Sequence, residues 1–105
     1  MVAMNDIQDL VDRIARGFHP ERVILFGSHA RGTLTADSDV DLLVIMPFEG
    51  KSFWKSLEIL NRVSPRFAVD LLARRPDDTA RRYAEHDPLI REALDRGMVL
   101  YDRNG

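Results

Sequence analysis

Three short apolar runs, Arg22-Val-Ile-Leu-Phe26, Asp39-Val-Asp-Leu-Leu-Val-Ile-Met46 and Phe67-Ala-Val-Asp-Leu-Leu-Ala73, are separated by segments of different rhythm. Each run is rich in β-branched or aliphatic residues and too short for a buried helix, so each reads as a strand. The segments around them repeat apolar residues at three- and four-residue steps. Ile7, Leu10, Val11, Ile14 and Phe18 mark one face of a helix from about Asp6 to Arg16, ended near Gly17 and Pro20. Strands interleaved with helices restrict the chain to an α+β (α/β) arrangement, a mixed β-sheet flanked by helices on at least one face. At 105 residues the expectation is a single domain spanning 1–105.

The remaining elements follow from local signals. Pro47 to Gly50 turn the chain, and Ser52 caps a helix whose face includes Phe53, Trp54, Leu57, Leu60 and Val63. Phe53 and Trp54 are read as core-facing. Pro76-Asp77-Asp78 opens a short helix to about Glu85. Asp87-Pro88 opens another, with Pro at its first position and Gly97 just past its end. Val99-Leu-Tyr101 reads as a short edge strand.

Composition excludes several classes of function. The chain contains no cysteine, which rules out disulfides, thiolate metal sites and cysteine nucleophiles and fits a cytoplasmic protein. A net charge of -2 leaves no broad cationic field for non-specific nucleic-acid binding. No apolar run approaches the ~20 residues of a membrane span, and the N-terminal segment is not of secretory type. Thirteen of the fifteen basic residues are Arg, a side chain suited to planar contacts with carboxylates or phosphates.

Each of the three best strands carries something polar that a purely structural strand would not need. Asp39 and Asp41 lie two apart, so both side chains point the same way, about 6.6 Å apart along the backbone. Mg²⁺ takes oxygen ligands, commonly one or two carboxylates with waters and substrate phosphates. Asp70 interrupts an apolar run, where an unpaired carboxylate is expensive to bury. Asp39, Asp41 and Asp70 thus form a candidate metal-binding triad. A purely structural reading places Asp39 in the preceding loop and pairs Asp70 with Arg66 or Arg74. The turn after the first strand favours the metal reading. Gly27 permits close backbone approach, and Ser28 offers a hydroxyl and, if it starts a helix, free N–H groups suited to a phosphate.

Two rival motifs fail by position. Gly27-x-x-x-x-Gly32 is followed by Thr33 and Leu34, not by the lysine of a phosphate loop. Asp37-x-Asp39-x-Asp41 has Leu42 and Phe48 where a calcium loop requires Gly and Glu.

The combination of Gly27-Ser28, Asp39-x-Asp41 and a later single Asp70 resembles the nucleotidyltransferase superfamily that includes DNA polymerase β. More narrowly, GSHARG followed by SDVDLLV is similar to the minimal nucleotidyltransferases (MNT), compact proteins often paired with a HEPN-domain partner as antitoxin and toxin. The resemblance runs from about Val23 to Asp70, and HDPLIREALDRGMVLY is also of the family's style. It implies a mixed sheet flanked by helices, with Gly27 and Ser28 at the nucleotide phosphates. Asp39 and Asp41 match the paired metal ligands and Asp70 the third acid, with two Mg²⁺ ions holding the triphosphate and the accepting hydroxyl. The implied reaction moves AMP from ATP to a tyrosine of a partner HEPN toxin. Arg31 is a candidate phosphate contact or an ion-pair partner of the acidic cluster, and Ser38 a residue that orients the Asp39 loop at the nucleotide. The alternatives are a non-catalytic antitoxin that neutralises its partner by complex formation, and a nucleotidyltransferase acting on a small molecule, which a homo- or hetero-oligomer would have to complete.

Overall fold

A computed structural model describes residues 2–32 and 39–105. In chain order the elements are α1 (Met4–Phe18), β1 (Arg22–Phe26), α2 (Ser28–Arg31), β2 (Val40–Ile45), α3 (Ser52–Val63), β3 (Val69–Arg74), α4 (Pro76–Ala84), α5 (Pro88–Arg96) and β4 (Met98–Asp102). The four strands form one sheet in the order β3-β2-β1-β4. β1 pairs antiparallel with both β2 and β4, while β2 and β3 run parallel. The sheet is mixed, as the interleaving of strands and helices predicts. No helix among the described residues is long and apolar enough to cross a membrane.

Side-chain alternation along the strands divides the core in two. Val23 and Leu25 of β1, with Val40, Leu42 and Val44 of β2 and Leu71 and Ala73 of β3, face α1 and α3 and meet Ile7, Leu10, Val11, Ile14, Ile59 and Val63. Ile24 and Phe26 of β1, with Leu43 and Ile45 of β2, face the other way onto Ile90 and Ala93 of α5. Asp41 shares its parity with Leu43, and Asp70 shares its parity with Leu72. Both acids therefore belong to the α5 face of the sheet.

Helix α3 corrects the sequence expectation. Its buried residues are Ser56, Ile59 and Val63, whereas Phe53 and Trp54 are 65% and 62% exposed. The two rings pack edge to face on one another, with centroids 4.9 Å apart. The cause is the open edge of the sheet. Strand β3 has a neighbour on one side only, so some of its backbone groups require other partners. Ser56 Oγ accepts from the Ala73 N–H at 2.9 Å and donates to the Ser52 carbonyl at 2.8 Å. The Ser52 hydroxyl donates to the Ala73 carbonyl. Ser52 is thus an edge clamp rather than a helix cap; Lys51 holds the N-cap position without a side-chain bond. Replacing Ser56 by Ala strands a buried N–H, and the expected loss is about 1–2 kcal/mol, read as a lowered urea midpoint with an unchanged slope.

Helix α5 starts as expected. Asp87 is its N-cap and accepts from the Leu89 and Ile90 N–H groups, and Pro88 takes the first helical position. The Ile90 N–H bond is the leading reason that Asp87 lies below the ordinary carboxylate pKa, with the Arg82 guanidinium and the Leu89 N–H adding to it against the opposing effect of burial. The cap fixes the direction in which α5 leaves the chain, and with it the side chains it presents to the ends of β1 and β2.

Candidate active site

Strand β1 ends at Phe26, and the backbone then takes a conformation that only glycine adopts readily. Gly27 has φ 75° and ψ -151°. A side chain would also have no room there: a Cβ on Gly27 would lie 2.2 Å from Asp41 Oδ2. The Asp41 carboxylate is packed directly against the Gly27 backbone. From this turn starts the short α2, closed by Gly32 at φ 73°.

Asp41 is central in the constellation. In the antiparallel ladder its Cα partner is Phe26, and in the parallel ladder its Cα partner is Asp70. Asp39 immediately precedes β2 and is exposed. His29 Nδ1 lies 3.1 Å from the Asp39 carbonyl oxygen, which ties the entry of β2 to α2. Asp70 is exposed too, so the desolvation expected from its apolar neighbours does not arise: β3 is an edge strand with an open end. Nor does it pair with Arg66 or Arg74; Arg74 lies 3.9 Å from Asp78.

Burial, followed by the negative charges of Asp70, Asp39 and Glu92, pushes the Asp41 carboxyl above its ordinary pKa of 3.8, and His29 partly offsets them. Asp41 is thus a carboxylate among like charges. Among the described residues, no group of three His, Cys, Asp or Glu side chains converges closely enough to hold a metal ion. Of the expected triad, Asp41 and Asp70 are neighbours across adjacent strands and line one cleft, whereas Asp39 lies in the segment just before β2, as the purely structural reading has it, and does not line that cleft. In kind and in charge the donors fit a hard divalent cation, which takes carboxylate oxygens and would offset the repulsion that raises Asp41.

Gly27, Ser28, Arg31, Asp41 and Asp70 line one cleft of about 410 Å³, together with Phe26, Leu72, Pro88, Leu89 and Glu92. Two walls differ in character: oxygen-rich where β1 ends and β2 and β3 begin, apolar along Leu72, Pro88 and Leu89. Ser38 lies outside the described residues. Glu92 is a member of the cleft to which no sequence motif points. Its carboxylate accepts from the Gly27 N–H at 3.1 Å and from Arg31 Nη1 at 2.6 Å. The available signal was helical spacing, since Pro88 and Glu92 stand four apart beside the buried Ile90 and Ala93. Arg31 accordingly pairs with Glu92 and not with the aspartates.

The family model described as a nucleotidyltransferase domain matches residues 7–100. The chain belongs to this family. As a nucleotidyltransferase domain it has the mixed sheet that the resemblance implied. A search of curated proteins gave no match. The fold is similar to that of a candidate nucleotidyltransferase from Sulfolobus solfataricus, at 22% identity and a TM-score of 0.67, over 95% of this chain and 80% of that one. It is also similar to a toxin–antitoxin with AMP-PNP, at 21% identity and a TM-score of 0.59, over 90% of this chain and 73% of that one. A third similar fold occurs in a complex of a tri-AMPylated HEPN toxin from Shewanella oneidensis with its MNT antitoxin. There identity is 17% and the TM-score 0.52, over 90% of this chain and 69% of that one.

Proposed function

We propose that this nucleotidyltransferase is of the MNT type: it transfers AMP from ATP to a hydroxyl group, with a tyrosine of a HEPN toxin as acceptor, and thereby acts as that toxin's antitoxin. The observation that carries the reading is the contact of the Gly27 backbone with Asp41, laddered to Asp70, on the wall of one cleft. The similar folds, one with AMP-PNP and one with a tri-AMPylated HEPN toxin, support the choice of nucleotide and partner.

In nucleotidyl transfer the acceptor oxygen attacks the α-phosphorus and pyrophosphate leaves, so the protein's task is to position groups and neutralise charge. Divalent cations, Mg²⁺ in this reading, held by Asp39, Asp41 and Asp70, would neutralise the triphosphate and the developing charge on the oxygens. The Gly27 N–H and the Ser28 hydroxyl donate to phosphate oxygens, and Arg31 adds a full positive charge. Asp70, exposed at the open end of β3, is placed to accept the proton of the incoming hydroxyl. The apolar wall of Leu72, Pro88 and Leu89 gives the base a surface on which to lie.

The test is incubation with labelled ATP, Mg²⁺ and the protein encoded by the adjacent reading frame. Transfer of label to that protein is the expected result. A second reading, neutralisation by complex formation alone, draws on the exposed Phe53–Trp54 pair. It prevails if no label is transferred and a variant with Asp39, Asp41 and Asp70 all changed to Asn still rescues cells from the toxin.

A further inference from the structure

The donors around Gly27 are already engaged by an acid from a distant part of the chain. Glu92 Oε2 takes both the Gly27 N–H and a guanidinium N–H of Arg31, bridging 65 and 61 residues of sequence. A backbone N–H and a guanidinium converging on one oxygen are also the donors with which proteins bind phosphate. We infer that Glu92 is an intramolecular competitor for the phosphate position at Gly27 and Arg31, and that an incoming triphosphate must displace it. The inference rests on the proposed nucleotide binding in this cleft.

Three observations carry it. The Glu92 carboxylate lines the same cleft as Asp41 and Asp70, so it stands where a polyphosphate reaching those acids would pass. Its pair with Arg31 is exposed, at 43% for the Arg31 side chain and 36% for Glu92, and an ion pair so open to water is held weakly enough to exchange. Finally, among the described residues that line the cleft, Asp41, Asp70 and Glu92 face one cation, Arg31, so Glu92 adds repulsion that a polyanion must overcome. Until then, Glu92 keeps the Gly27 N–H hydrogen-bonded. A triphosphate offers more negative charge to the same donors, and the carboxylate swings away into solvent.

The experiment is calorimetric titration of wild type and Glu92→Gln with AMP-PNP and with AMP, both in Mg²⁺. Gln keeps the shape and an oxygen for the Gly27 N–H but removes the charge. Glu92→Gln should bind AMP-PNP about five- to tenfold more tightly, with less than a twofold change for AMP, which lacks the outer phosphates. Glu92→Ala should move the two affinities in the same directions. Unchanged or weaker AMP-PNP binding by both variants, with measurable binding by wild type, overturns the role of Glu92 and leaves the nucleotide site standing. An equal gain for AMP also overturns it. Absence of AMP-PNP binding by all three proteins overturns both the competitor and the proposed nucleotide site.

Discussion

Asp41→Asn is expected to lower nucleotidyl transfer by about 10³-fold and, in the same protein, to raise the melting temperature at neutral pH. The two effects share one cause. Asp41 is half-buried between the Gly27 backbone and the acids Asp70, Asp39 and Glu92, and its carboxyl stands above the ordinary value of 3.8. The folded chain therefore holds the Asp41 proton more tightly than the unfolded chain does. The stabilising contribution is complete below pH 3.8 and is lost as pH rises through the elevated folded value, so at pH 7 the ionised group opposes folding. Asn removes the charge at nearly constant volume. The gain is of order a few degrees, since the site is partly open to water and the repulsion is screened. Thermal scans in chelator at pH 7 and pH 4 would show the advantage of the variant shrinking as acid protonates the wild type. A variant that melts below wild type at pH 7 would count against charge repulsion at this site. The loss of activity has the opposite origin: the carboxylate that destabilises the empty fold is the one expected to hold the cation.

Gly27→Ala should destabilise the fold by about 2–4 kcal/mol and also abolish transfer. The backbone of Gly27 lies in a region closed to residues with a Cβ, which alone accounts for about 1–3 kcal/mol. The added methyl would lie 2.2 Å from Asp41 Oδ2, so the carboxylate must leave its place. Urea titration gives the size of the loss, and a double-mutant cycle apportions it. Combining Gly27→Ala with Asp41→Ala removes the collision but not the backbone strain, so the pair should be less destabilised than the sum by about 1 kcal/mol. Strict additivity would show that the close approach at Gly27 is not what the substitution disturbs.

Regular elements were legible where one signal acted alone. Arg22–Phe26 begins and ends where its apolar run places it, and Asp87-Pro88 starts α5 as its capping chemistry requires. The structure departs from the sequence expectation where two demands compete for one face. Phe53, Trp54 and Leu57 are the most apolar residues at the start of α3, and their spacing alone turns them inward. The Ala73 backbone at the sheet edge needed Ser52 and Ser56, and that requirement rotated the helix. The same edge explains Asp70, whose apolar neighbours suggest burial although its side of β3 is open. At the site, the acids and Gly27 were visible as residues that a structural strand does not need. Glu92 was not, because a glutamate on a half-exposed helix looks like any other solvated charge until the fold brings it across to Gly27.

The pairing of Asp41 with Asp70 joins residues on strands that run in the same direction, with α3 in the connection between them. No local hairpin can make that pair; it exists only after the crossover has docked. A ligand that bridges the two carboxylates thus recognises the finished sheet and ignores partly organised chains. By mass action it would add about 2.7 kcal/mol at roughly one hundred times its dissociation constant. With such a ligand bound as proposed, occupancy of the cleft would report complete folding, and its supply would lengthen the time each molecule survives proteolysis.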